Sequence, residues 1–166
     1  MPRLTVPQVE VAPSVREAAC EERDVHHAYA DVGTMDDERL AAWVEELVAD
    51  TREHAPRREG SVPSTNLWWV EGTTFLGRVQ IRHRLTPFLR EAGGHIGYWI
   101  APAHRRRGHA TALLGAALPV AAQLGIDCAL LTCDADNVGS RRTIEANGGL
   151  FHDQRGVKLR YWVPTG

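Results

Sequence analysis

The elements read along the chain run strand, two helices, three strands, helix, strand, helix, strand, an order that predicts an α/β fold with helices covering a mixed sheet. Three observations support it. Apolar residues alternate at strand spacing before a glycine-bearing turn at 94 to 108. They repeat at helical spacing from Leu40 to Val48, and run almost unbroken from Cys128 to Asp134. The strongest strand–helix–strand unit is residues 94 to 134.

Residues 1 to 13 contain three prolines and alternate Leu4, Val6, Val9 and Val11 with polar positions, which suits an extended edge strand. Ser14 offers an N-cap to a helix reaching about Ala30. The next helix is capped by Thr34 or Asp36, has Asp37 and Glu38 at its positive end, and should bury Leu40, Trp43, Val44, Leu47 and Val48. Arg57 to Ser64 reads as a polar loop. Leu67 to Glu71 and Thr74 to Arg84 read as strands joined by a turn at Glu71-Gly72. Thr86 to Glu91 is a short helical turn, and Gly94 to Ala101 is a strand stopped by Pro102. A helix from about Arg106 to Leu124 follows, with Pro119 expected to kink it and Gly125 to close it. Asn137 to Asn147 is the last helix, ended by Gly148-Gly149, and Leu159 to Val163 the last strand.

The 166 residues, 43% hydrophobic and 24% charged, fit one domain spanning the whole chain. A formal charge of −2 argues against a nucleic-acid binder, which needs excess positive charge to displace counterions. Cys20, Cys128 and Cys133 form no C-x-x-C pair and are odd in number, so neither disulfides nor a metal site is expected, and a reducing, cytoplasmic setting follows. No apolar run approaches the ~20 residues that span a bilayer, so no membrane partner is expected.

The chemistry concentrates in His95-Ile-Gly-Tyr-Trp-Ile-Ala-Pro-Ala-His-Arg-Arg-Arg-Gly-His-Ala110. A strand feeding a helix N-terminus through such a turn exposes unpaired backbone N–H groups at the positive end of a helix. Gly108 lets a phosphate approach without a Cβ in the way. Arg105, Arg106 and Arg107 add charge. There is no Gly-Lys-Ser/Thr of a Walker A loop and no GxGxxG fingerprint.

Within this segment Arg105-x-x-Gly108-x-Ala110 resembles the R/Q-x-x-G-x-G/A signature of the GCN5-related N-acetyltransferase (GNAT) superfamily. Cys133-Asp-Ala-Asp-Asn137-Val-Gly-Ser140 through Gly148-Gly149 resembles the family's segment after strand five. With Gly-Gly-His-Ile-Gly-Tyr, Ile-Arg-His and the late Arg-Tyr-Trp, the sequence is similar to a subgroup of predicted acetyltransferases with unassigned substrates. The resemblance implies a mostly antiparallel central sheet of six to seven strands, flanked by helices and splayed between strands four and five. It implies an acetyl-CoA-dependent transferase that acetylates a primary amine of a small molecule or peptide by direct attack. Arg105, Arg106, Arg107, Gly108, His109, Ala110 and Thr111 would then hold the pyrophosphate, and Asn137 and Ser140 the pantetheine. Backbone N–H groups around Trp99 and Ile100, at the splay, would make the oxyanion and pantetheine contacts, with Ile100 helping to position the pantetheine. Similar proteins commonly dimerise, though no feature of the sequence marks an interface.

The sequence departs from the family where many members place a tyrosine to protonate the departing thiolate. Seven residues after Asn137 stands Ile144, and Tyr98, Tyr161, Ser140 and Cys133 are the available substitutes. His95, where several relatives carry Glu, and His83 are the base candidates, since an imidazole titrates near ~6.5. A histidine among eight is more often structural. Asp134 and Asp136 could hold a cationic acceptor or merely cap, and Arg141 and Arg142 could reach a 3′-phosphate or form a solvated face. Trp68, Trp69 and Trp99 could line an acceptor pocket or fill the core. The alternative function is a non-catalytic acyl-CoA sensor, favoured by Ile144 and excluded by turnover with any amine.

Overall fold

The structure is a computed structural model describing residues 1–22 and 28–166. Among the described residues, seven strands form two antiparallel sheets. Strands β1 (Arg3–Thr5), β2 (Ser64–Glu71), β3 (Thr74–Arg82) and β4 (Ile96–Ile100) stand in the order β1-β2-β3-β4. Strands β5 (Cys128–Asp134), β6 (Leu150–Arg155) and β7 (Lys158–Pro164) stand in the order β5-β7-β6. Between β4 and β5 the ladder is missing, and the sheets meet there as a splay.

Helix α1 (Ala12–Glu21) begins three residues earlier than a cap at Ser14 would set it. Val11 is its N-cap, whose hydrocarbon side chain can make no capping bond, and the Ser14 hydroxyl accepts the Phe75 N–H at 3.0 Å. The expected continuation toward Ala30 lies partly outside the described residues, and Ala28 to Ala30 form a turn. Only Arg3–Thr5 of the first thirteen residues pairs as a strand. Helix α2 (Asp37–Ala49) is capped by Asp36, whose carboxylate accepts the Arg39 N–H at 2.8 Å, and buries Leu40, Trp43, Val44 and Leu47. Val48, expected in that stripe, is exposed. Helix α3 (Pro87–Glu91) is one short turn capped by Thr86. Helix α4 (His109–Gln123) runs unbroken through Pro119, and α5 (Val138–Ala146) follows β5. Strand β6 has no counterpart in the sequence reading, because it is an edge strand with exposed residues and no apolar alternation to mark it.

Two cores flank the sheets. On one side α4 packs Leu113, Leu114 and Ala117 against Ile96, Ile100, Leu131 and Ile144. On the other α1 and α2 cover Trp43, Trp68, Val70 and Phe75, with Trp99 packed alongside. Strand alternation divides β4 between them: Ile96, Tyr98 and Ile100 face α4, and Trp99 faces α1 and α2.

Candidate active site

The splay starts at one residue. His95 donates its backbone N–H to the Leu130 carbonyl at 2.7 Å, and its Nδ1 accepts the Leu130 N–H at 2.9 Å. That ring nitrogen stands in for the next backbone carbonyl of a sheet ladder, and beyond it β4 and β5 diverge. Accepting at Nδ1 requires the neutral ring to carry its proton on Nε2. Burial, with Arg90 and Arg82 nearby, pushes the imidazole down to about 4. The lone pair of this base candidate is therefore occupied by the backbone.

The direction of the β4 peptide groups follows from bonds at its two ends. Arg82 N–H reaches the His95 carbonyl, and Ala101 N–H reaches the Leu76 carbonyl. Successive residues turn to opposite edges, so Gly97 and Trp99 bond to β3 while Ile96, Tyr98 and Ile100 turn their peptide groups toward β5. Ile100 N–H thus faces the opening as expected. Trp99 N–H does not; it faces β3, and Tyr98 N–H takes the place beside Ile100. Counting positions along a motif does not reveal the phase of the ladder.

Between the diverging strands lies a cavity of about 270 Å³, lined among others by Gly97, Tyr98, Cys133, Asn137 and Ser140. The Tyr98 hydroxyl is 2.7 Å from Ser140 Oγ. Burial raises its phenol to about 12, so it keeps its proton throughout the neutral range. Asn137 caps α5, its Oδ1 accepting Ser140 N–H at 3.0 Å, and this commits its carbonyl oxygen while leaving the amide NH2 at the cavity wall. Asp134, at the same wall, pairs with Lys158 at 2.7 Å.

The position counted for the family's tyrosine is not part of this cavity. Ile144 is fully buried beneath α4 and touches the Gly149 backbone. Tyr161 points its hydroxyl at Glu145, 3.2 Å away. His83 lies past the end of β3, with Nε2 2.8 Å from Thr65 Oγ1 and burial lowering its basicity. It is not among the cavity-lining residues.

At the far end of β4 the chain turns into α4. Arg106 has φ 64° and Gly108 φ 80°, two left-handed residues in a three-residue span, which curls the backbone so that successive N–H groups converge at the helix N-terminus. A Cβ on Gly108 would meet nothing in the protein, so the space in front of it is open. Arg106 and Arg107 are exposed. Arg105 is turned away: its Nε donates to the Ile100 carbonyl at 2.9 Å and its fork grips Glu22 at 2.7 and 2.8 Å, with the guanidinium 5.6 Å from the Trp99 ring centroid. Its role in the structure is to fasten the turn to α1 and to hold the Ile100 peptide. His109 accepts the Trp69 indole N–H at 3.3 Å, Ala110 packs against the α4 core, and the Thr111 carbonyl accepts from Asn147. Trp68 and Trp69 are buried, and Trp99 is half-buried against Phe75. Among the described residues no helix is long and apolar enough to cross a membrane. No group of three or more His, Cys, Asp or Glu side chains could hold a metal ion there either.

Solved structures of about 14% identity share this fold. The microcin self-immunity acetyltransferase MccE, in complex with acetyl-CoA and AMP, superposes with a TM-score of 0.70 at 14% identity, covering 98% of this chain and 92% of that one. YncA, a putative acetyltransferase from Salmonella typhimurium with its cofactor acetyl-CoA, gives 0.64 at 15%, covering 99% and 94%. The N-acetyltransferase PaiA from Thermoplasma acidophilum, in complex with coenzyme A, gives 0.60 at 14%, covering 99% of each chain. No curated protein sequence gives a significant match. Residues 3–149 match the family described as "Acetyltransferase (GNAT) domain", a span that holds the turn, the splay and α5, so the chain belongs to the GNAT acetyltransferases.

Proposed function

We propose that the whole chain acts as one acyltransferase domain that moves the acetyl group of acetyl-CoA to a primary amine of a small molecule or peptide by direct attack. The observation that supports this best is the splay together with the turn that follows β4. Tyr98, Ser140 and Asn137 line the slot between β4 and β5, the Tyr98 and Ile100 N–H groups turn to that edge of β4, and the curled turn at Arg106 to His109 carries the far end of β4 into α4. The turn suits a pyrophosphate, with Arg106, Arg107 and the helix dipole supplying positive charge, and the slot suits a pantetheine arm.

In the reaction the amine nitrogen bonds the thioester carbonyl carbon, the carbon–sulfur bond breaks with its electron pair on sulfur, and the proton lost by nitrogen passes to water. Tyr98 is the side chain we assign to the reacting atoms: protonated, and fixed by Ser140, it donates a hydrogen bond to the departing sulfur. His95 we assign to closing the splay and His83 to the β2–β3 edge; neither receives the amine proton in this reading.

The test is calorimetric titration with acetyl-CoA followed by thiol release over a panel of amines, with Gly108→Asp as control. The wild type should bind and turn over. Gly108→Asp should fold, because its side chain enters open space at a cost of about 1 kcal/mol for the left-handed backbone, yet lose acetyl-CoA binding through charge and bulk at the phosphate position. Acetyl-CoA binding without thiol release for any amine would support the sensor instead, and retained affinity in the folded variant would refute the placement of the turn.

A further inference from the structure

Arg82 lines the same cavity and takes no part in the chemistry above. Its Nη1 donates to the Gly93 and Gly94 carbonyls at 3.0 and 3.1 Å, and no carboxylate lies within ion-pair distance of it among the described residues. The contrast with its neighbours is sharp. Arg84 grips Glu53, Arg155 grips Glu91, Arg160 grips Asp153, and Lys158 in the same cavity holds Asp134. Arg82 is half-buried, and its guanidinium is pushed down to about 10 by burial and by Arg78 beside it. Holding a cation in such a place without a counter-charge costs free energy that an anionic ligand would recover.

The surroundings aim it. An ideal Cβ on Gly97 would stand 3.7 Å from both Nη1 and Nη2, so the guanidinium lies over Gly97, and the missing side chain keeps that space open. Gly97 and Tyr98 lie on opposite faces of β4, and both line the cavity between the sheets. Arg82 pairs at the His95 end of β4, while the phosphate turn leaves the Ile100 end, roughly 13 Å away at ~3.3 Å per strand residue. The anion it awaits is therefore not the cofactor's pyrophosphate.

We propose that Arg82 binds a carboxylate of the acceptor, making the substrate a small amine that carries a carboxylate close to its nitrogen, as a free amino acid does. This rests on the acetyl-transfer reading above. A guanidinium fork matches a carboxylate in plane, and with Nη1 fixed by two carbonyls the remaining N–H groups are preorganised for it. The cavity of about 270 Å³ also has to admit the thioester end, which favours a compact acceptor.

The experiment compares each amino acid of a panel with its own carboxamide in the thiol-release assay, on the wild type and on Arg82→Gln and Arg82→Lys. At least one amino acid should turn over with kcat/KM ten-fold or more above its carboxamide. Arg82→Gln should lower kcat/KM for the acid by about 50-fold, mainly through KM. It should leave turnover of the carboxamide and the acetyl-CoA Kd within two-fold. Arg82→Lys, which keeps the charge and the Gly93 contact, should recover part of the loss and guards against a misfolded Gln variant. Equal rates for acid and amide, an unchanged Arg82→Gln, or thiol release only with amines lacking a carboxylate would overturn the proposal while leaving the transferase intact. Failure to bind acetyl-CoA would overturn both.

Discussion

Tyr98 on β4 and His95, three residues before it at the strand's entry, are driven to opposite ends of the pH scale by the same physical cause. Burial disfavours charge, so the phenol keeps its proton up to about 12 and the imidazole loses its own down to about 4. Tyr98→Phe should therefore reduce kcat, on the order of 100-fold if the hydrogen bond to sulfur matters as a proton donor does, with acetyl-CoA affinity nearly unchanged. Equal kcat in steady-state assays would dismiss the assignment. His95 predicts a stability effect. An unfolded histidine titrates near ~6.5, so between that pH and about 4 the unfolded chain binds more protons than the folded one, and stability falls as pH falls through that window. Above it the contribution is constant. The melting temperature should drop on acidification from pH 7 to 4.5. His95→Asn, which still offers an oxygen to Leu130 N–H, should lose that part of the slope; an unchanged slope would exclude His95 as its source.

At the scale of elements, α5 shows how a motif count and a packing position differ. Its Asn137 cap was legible, because an Asn before a helix beside a Gly-bearing stop has a strong local signature. The count of seven to Ile144 was equally legible, but helix phase places that side chain under α4 rather than at the cavity. Ile144→Tyr should consequently restore no proton donor. It should destabilise by about 1–3 kcal/mol, since Ile144 has no exposed surface and Gly149 packs on it; faster turnover in a stable variant would contradict this. Ser14 is the opposite case. It has the chemistry of a cap, yet a backbone donor on β3 claims its hydroxyl, and local propensity cannot anticipate a partner 61 residues away. Strand β6 left no mark for a similar reason, as an exposed edge strand needs no buried alternation.

For the whole molecule, the decisive feature is that two antiparallel sheets meet at one point instead of along a ladder. Gly94 is the hinge of that meeting: it adopts φ 60°, and any Cβ there would run into the Leu130 carbonyl. Gly94→Ala should cost on the order of 3 kcal/mol, combining left-handed strain with the clash, and should weaken acetyl-CoA binding by misaligning β4 against β5. Denaturant unfolding and titration would show both losses, and a variant as stable as the wild type would refute the hinge.

What the sequence determined by itself is whatever rests on short-range chemistry. Hydrophobic periodicity located the core helices and inner strands, Asp36 and Asn137 marked helix starts, and the run from Arg105 to Ala110 marked the glycine-bearing turn that opens α4, because a glycine acts on its own backbone and the few residues beside it. Tertiary structure alone decided which way those groups face. The ladder bonds at both ends of β4 chose Tyr98 N–H over Trp99 N–H for the opening, Glu22 holds the Arg105 guanidinium, and Leu130 occupies the His95 ring. Each of these outcomes depends on a partner 13 to 83 residues distant. Such pairings are settled by which donors and acceptors meet when the sheets close, and that information is not local to any motif.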